Sequence, residues 1–175
     1  LLNNRSFEDD MASSWTIANA TRDKRVTKPA KSLTGSSALK LVGSANEKTS
    51  FTQDITHNIN TLSAGDYLDF IGWFKSGAAA PKVKIILKVW YGGSTATKVN
   101  LVTFKTPSES YTDLRASYML IGPPSKVQIS IKNKTKLGTV FVDELSLTAA
   151  DVSLRMHHDV MLSLPQGPDG FRDSH

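Results

Sequence analysis

Apolar and polar residues alternate with a period of two along most of the chain, in short runs broken by Gly, Pro, Ser and Asn. Successive side chains of a strand point to opposite faces, so this period marks strands with one buried and one solvated face. Val127, Ile129 and Ile131 alternate with Gln128, Ser130 and Lys132 in this way. Val83, Ile85, Leu87 and Val89 form a second apolar row, opposite Lys84, Ile86, Lys88 and Trp90. A third row places Leu68, Phe70, Gly72 and Phe74 on one face and Asp69, Ile71 and Trp73 on the other.

The pattern predicts strands over Ser37–Gly43, Lys48–Ile55, Asp66–Ser76, Lys82–Tyr91, Lys98–Lys105, Tyr111–Leu120, Lys126–Asn133 and Thr139–Thr148. No long segment carries a helical period. Many one-sided strands at this spacing specify an all-β fold, a two-sheet antiparallel β-sandwich (jelly roll) closed by its apolar rows. The sandwich is expected to occupy residues 1–149, with a C-terminal extension over 150–175. Within that extension Val152, Leu154, Met156, His158, Val160, Leu162 and Leu164 alternate with polar positions, which reads as one extra strand before a Pro/Gly tail.

A chain of 175 residues buries enough surface to fold without staples, and it contains no cysteine. No apolar run approaches the roughly 20 residues of a membrane helix, so membrane insertion is not expected. Leu1 is not an initiator methionine, so the chain reads as a processed protein or a piece of one. The net charge of +5 comes mainly from lysines scattered among the strands. One reading is a solvated lysine face that protects sheet edges; the other is an anionic partner such as an acidic polysaccharide. Nucleic acid is not expected, because no arginine-rich run or known binding motif accompanies the charge.

Sugar binding needs flat aromatic faces beside polar groups. Trp73 and Trp90 both alternate with apolar rows and are candidate platforms, with Asp69, Lys88 and Gln128 as polar companions; packing is the competing role for both tryptophans. Trp15 is assigned to packing, and Tyr91 and Tyr111 are placed near turns. No nucleophile motif, phosphate-cradling glycine loop or zinc spacing is present, so no enzyme activity is expected.

The two ends of the pattern carry a resemblance. Leu2-Asn3-Asn4-Arg5-Ser6-Phe7-Glu8 resembles the opening of the jelly-roll carbohydrate-binding modules appended to xylanases and other glycoside hydrolases. Ser36–Leu41 and Gln53 are similar to internal segments of that pattern, and Val140–Leu147 to its closing strand. Arg5 stands where Gly is usual, and Glu144 where a second Asp is usual.

The resemblance implies a non-catalytic extracellular or cell-surface module attached to polysaccharide or another glycan. It also implies a structural Ca2+ held by Glu8 and Asp143 with backbone carbonyls, since calcium gathers six to eight oxygens from several segments. Asp143 falls on the row Phe141, Asp143, Leu145, Leu147, where an unpartnered carboxylate is costly; a lysine or backbone amides would serve as well as a metal. The alternative function is a structural subunit of a filament, surface layer or adhesive array, self-assembling through residues 151–164.

Overall fold

A computed structural model describes residues 1–19, 21–46, 48–59 and 61–150. The extra strand expected within 150–175 and its proposed self-assembly therefore lie outside the described residues.

Ten strands build the described part: β1 (Thr16–Ala18), β2 (Lys24–Thr27), β3 (Ser37–Val42), β4 (Ser50–Asp54), β5 (Tyr67–Ser76), β6 (Val83–Trp90), β7 (Thr97–Phe104), β8 (Ser108–Met119), β9 (Lys126–Asn133) and β10 (Thr139–Ala150). They pair antiparallel in two five-stranded sheets, ordered β1-β4-β9-β6-β7 and β2-β3-β10-β5-β8. The two-sheet antiparallel β-sandwich is the architecture that the alternation requires.

The apolar rows meet between the sheets. Phe70, Phe74, Leu39, Leu41 and Leu147 face Ile85, Leu87, Phe51, Ile129 and Ile131, all essentially inaccessible to solvent. Phe74 and Phe104 stack at 5.3 Å between ring centroids. Gly72 is the one inward position of β5 without a side chain, and Phe70, Phe74 and Leu145 close over it. Phe7 and Trp15 seal one end of the core at 6.2 Å from each other. The N-terminal segment is laced on by Gln53, whose side chain accepts from the Asn3 amide (2.9 Å) and donates to the carbonyls of Asn3 and Ser14.

β1 and β2 have no counterpart in the alternation. Both are short edge strands with exposed or half-buried side chains, so no apolar row announces them. The closing strand departs from the expected row. Val140 and Val142 point inward, and a bulge between Asp143 and Ser146 then advances the phase so that Leu145 and Leu147 point inward. Glu144 sits in the bulge at φ 45°. Phe141 and Asp143 therefore point away from the core, which corrects the expectation that they share a row with Leu145 and Leu147. One residue of bulge is enough to reverse the facing of everything before it.

Candidate functional site

The outward face of the β1-β4-β9-β6-β7 sheet is a grid fixed by register. Along β6 it carries Lys84, Ile86, Lys88 and Trp90. Lys84 lies opposite Lys132 and Thr103; Ile86 lies opposite Ser130 and Asn100; Lys88 lies opposite Gln128 and Lys98; Trp90 lies opposite Lys126. Four alternate positions of a strand span about 20 Å. Ile86 is only 5% exposed although it faces outward, and it lines a groove with Lys84, Lys98 and Lys132.

At one end of this grid the Lys126 ammonium lies 5.3 Å from the Trp90 ring centroid and 3.4 Å from Asp54. Gln128 also donates to Asp54, at 3.4 Å. Burial pushes the Asp54 carboxyl up, but donors on Thr56, Gln128 and Lys126 outweigh it and hold the group below its ordinary range. At the other end, Lys84, Lys98, Lys132 and Ile86 join Ser50 and Asn100 around a shallow groove of about 260 Å³. Among the described residues no carboxylate forms an ion pair with Lys84, Lys88, Lys98 or Lys132. Burial, with Lys98, Lys88 and Lys134 nearby, lowers the Lys132 pKa.

The opposite sheet presents Trp73 and Asp69 on its own outward face. Trp73 is half-buried and lies between Asp143 on β10 and Asp113 on β8. Asp113 is tied to Arg115 at 2.6 Å, and Asp69 accepts from Ser117. Next to this row, Lys75 lies 4.7 Å from the Tyr111 centroid and 5.7 Å from that of Phe141. Tyr111 donates to the Lys31 carbonyl (2.7 Å), and burial raises its pKa well above the ordinary phenol value. Tyr111 thus belongs to a strand and to a packed cation-aromatic cluster, whereas Tyr91 hydrogen-bonds Tyr118 (3.1 Å).

The sequence-derived candidates therefore divide. Trp90, Lys88 and Gln128 come together on one sheet, while Trp73 and Asp69 lie on the other. The two tryptophans face outward from opposite sides of the sandwich, so no single sheet face can hold both. Similar alternation in two strands says nothing about which sheet each strand joins, and that is why they looked alike in the sequence. Lys84, Lys98 and Lys132 escaped notice as a group for the same reason: register alone makes them neighbours.

Glu8 and Asp143 do converge, on the loop before β3. Glu8 accepts from the amides of Ser36 (2.9 Å) and Ser37 (2.8 Å) and from the Ser36 hydroxyl. Asp143 accepts from Leu33 (2.7 Å), Thr34 and Glu144 amides. The Arg25 guanidinium holds the carbonyls of Phe7 and Glu8. Asp143 points outward yet is 0% exposed, because this loop folds over it. Burial raises its pKa against the pull of the three amides, and the Glu144 charge raises it further; Glu8 is held low by the Ser36 and Ser37 donors in spite of its own desolvation. Among the described residues no ammonium or guanidinium forms an ion pair with either carboxylate. Two carboxylates bonded to the same loop are hard oxygen donors of the kind that calcium takes. No third acid or histidine completes a metal cluster among the described residues, so backbone oxygens would have to supply the remaining ligands.

This is the jelly-roll β-sandwich fold of carbohydrate-binding modules. The xylan-binding CBM22-1 domain of Paenibacillus barcinonensis Xyn10C superposes with a TM-score of 0.62 at 13% identity, over 83% of this chain and 91% of that one. TmCBM61, solved in complex with β-1,4-galactotriose, gives 0.60 at 18% identity, over 85% and 97%. The enzymatically active domain of bacteriophage CBA120 tailspike protein 4 gives 0.63 at 14% identity, over 85% of this chain and 21% of that one. No protein-family model and no curated protein sequence matches the chain.

Proposed function

We propose that the chain is a non-catalytic carbohydrate-binding module that attaches a parent protein or cell surface to polysaccharide. On this reading it works outside the cell or at its surface. The observation that carries the proposal is the outward grid on the β1-β4-β9-β6-β7 sheet, where the half-buried Trp90, with the Lys126 ammonium over its ring, lies near Gln128 and Lys88. A shallow face of this kind fits an extended chain of sugars, with the ring stacking and the polar groups fixing hydroxyls. Similarity in fold to domains solved as xylan- and galactotriose-binding modules supports the same assignment. Glu8 and Asp143 lie elsewhere, bound up in loop hydrogen bonds, so they do not form an open acid pair for glycoside hydrolysis.

A Ca2+ ion belongs to the proposal as a structural element. Glu8 and Asp143 would hold it, with backbone carbonyls of the neighbouring segments, and it would supply positive charge where Asp143 has backbone amides but no cationic side chain in an ion pair among the described residues. Its effect would be to staple the N-terminal segment to β10, in addition to the amide donors that both carboxylates already have.

The test is binding of the intact chain to a polysaccharide panel, with Trp90→Ala and Trp73→Ala beside it and circular dichroism to confirm folding. Saturable binding that weakens in Trp90→Ala and persists in Trp73→Ala supports the assignment. Loss only in Trp73→Ala moves the site to the other sheet, and absence of binding by the folded wild type overturns the proposal.

A further inference from the structure

We infer that the glycan taken by this module is a polyanion, its carboxylates or sulfate esters seated among Lys84, Lys98 and Lys132 on the outward face of the β1-β4-β9-β6-β7 sheet. The inference rests on the glycan-binding reading above and narrows it to a ligand class.

The charge of the protein is unevenly divided between its sheets. Lys84, Lys88, Lys98, Lys126 and Lys132 lie in the strands of this sheet, against the single carboxylate of Asp54. In the strands of the other sheet, cationic and acidic side chains occur in equal number. Asp54 is committed to Lys126, so the other four ammonium groups share one face without a counter-charge among the described residues.

Edge protection does not account for this placement. β6 and β9 are interior strands, paired on both sides, and four of the five lysines lie on them; only Lys98 is on an edge. Nor does solubility require two like-charged pairs in register on one face; the other sheet has one such pair, Lys24 and Lys40, and it includes the edge strand β2. Lys84 faces Lys132, and Lys88 faces Lys98, directly across neighbouring strands. Like charges so placed oppose folding, and a fold keeps them at lower cost when an anion bridges them. The lysines also converge rather than splay. Lys84, Lys98 and Lys132 line one groove with Ile86, Ser50 and Asn100, and burial, with Lys98, Lys88 and Lys134 nearby, lowers the Lys132 pKa.

The groove suits a charged sugar chain better than a nucleic acid. All of its cations are lysines, which act as point charges, and no arginine fork is present for bidentate phosphate contacts. No aromatic ring lines it on which successive bases would stack. Hydroxyl and amide groups of Ser50 and Asn100 are suited to sugar hydroxyls. The about 4.8 Å spacing of strands places consecutive cross-strand lysines roughly one pyranose ring apart.

The experiment measures affinity of the intact chain for polygalacturonate, dextran sulfate, neutral galactan, neutral xylan and a single-stranded oligonucleotide, at matched salt. Lys84→Gln/Lys132→Gln is compared with Lys24→Gln/Lys40→Gln, which removes the same charge from a like-charged pair on the other sheet. The expected result is preference for a charged polysaccharide, weakening with salt. The Lys84/Lys132 variant loses roughly tenfold in affinity, about 1.4 kcal/mol, and the Lys24/Lys40 variant changes less than twofold. Polygalacturonate and dextran sulfate distinguish carboxylate from sulfate. Equal losses in the two variants would reduce the effect to net charge and overturn the inference. Neutral galactan or xylan bound by the wild type as tightly as either charged polysaccharide would overturn it while leaving the module assignment standing. Oligonucleotide bound more tightly than any polysaccharide would replace the ligand class, and no polysaccharide binding at all would remove both readings. Wild-type circular dichroism and a melting temperature no lower than that of the wild type in both variants keep unfolding out of the comparison.

Discussion

Asp143 stands directly across from Trp73 in the β10–β5 pair, pointing away from the core, and its carboxylate is nonetheless wholly buried. The bulge at Glu144 turns it outward, and the loop before β3 then covers it, donating the Leu33 and Thr34 amides to one oxygen while Glu144 donates to the other. An Asp143→Ala variant would leave these donors to find water or strain. The expected loss of stability is about 2 kcal/mol, read by urea denaturation. A loss within error would mean that the loop re-solvates freely and does not depend on the carboxylate.

The two acids bonded to this loop should show opposite dependences on pH in the metal-free protein. Asp143 has a folded pKa raised above its ordinary 3.8, so it binds protons more tightly when folded, and its contribution becomes less favourable as pH rises through the raised value. Glu8 is depressed below its ordinary 4.5, so its contribution is present above that value and is lost as pH falls through the folded one. In chelator, Asp143→Asn should steepen the rise in stability from acid to neutral pH, and Glu8→Gln should flatten it. The same slope in both variants would show that neither group dominates.

Calcium gives a separate prediction. A ligand that binds only the folded state at a hundredfold excess over its Kd adds about 2.7 kcal/mol. For a domain of this size that is a rise in Tm of about 5–10 °C. Addition of Ca2+ should produce such a shift in the wild type, reversed by chelator and absent from Glu8→Gln and Asp143→Asn. An unmoved wild-type Tm would assign both carboxylates to amide binding alone.

The sequence carried the sandwich because its main strands alternate cleanly, and β5, β6 and β9 display their buried rows residue by residue. It carried the convergence of Glu8 and Asp143 only through resemblance, since the two are far apart along the chain. Three features were not legible. β1 and β2 expose most of their side chains and so lack a period. The bulge at Glu144 interrupts β10 without any glycine to signal it. The assignment of Trp73 and Trp90 to different sheets depends on strand order, which a local pattern does not encode.

Gly72 tests the packing of the sheet that carries Trp73. A Cβ there would lie 2.7 Å from Leu145 Cδ2 and 2.8 Å from Phe70 Cζ, both in the core. Gly72→Ala should cost about 1–3 kcal/mol through overpacking, visible as a lowered urea midpoint. Pairing it with Phe70→Leu should recover part of the loss if the clash with the ring is the cause.

Lys132 provides the stability counterpart of the ligand experiment. It lies opposite Lys84 in the β9–β6 register, and its ammonium is desolvated with Lys98, Lys88 and Lys134 nearby and no carboxylate in an ion pair with it among the described residues. Gln at this position keeps most of the aliphatic stem and removes the charge. Lys132→Gln should therefore stabilise the ligand-free protein, by about 0.2–1 kcal/mol at low ionic strength, and the gain should shrink as salt screens the repulsion in the wild type. Matched denaturation curves at low and high salt measure both effects. A destabilised variant at low salt would mean that the lysine contributes more through its packing than it costs through its charge, and the face would lose its character as a strained, ligand-ready cation cluster.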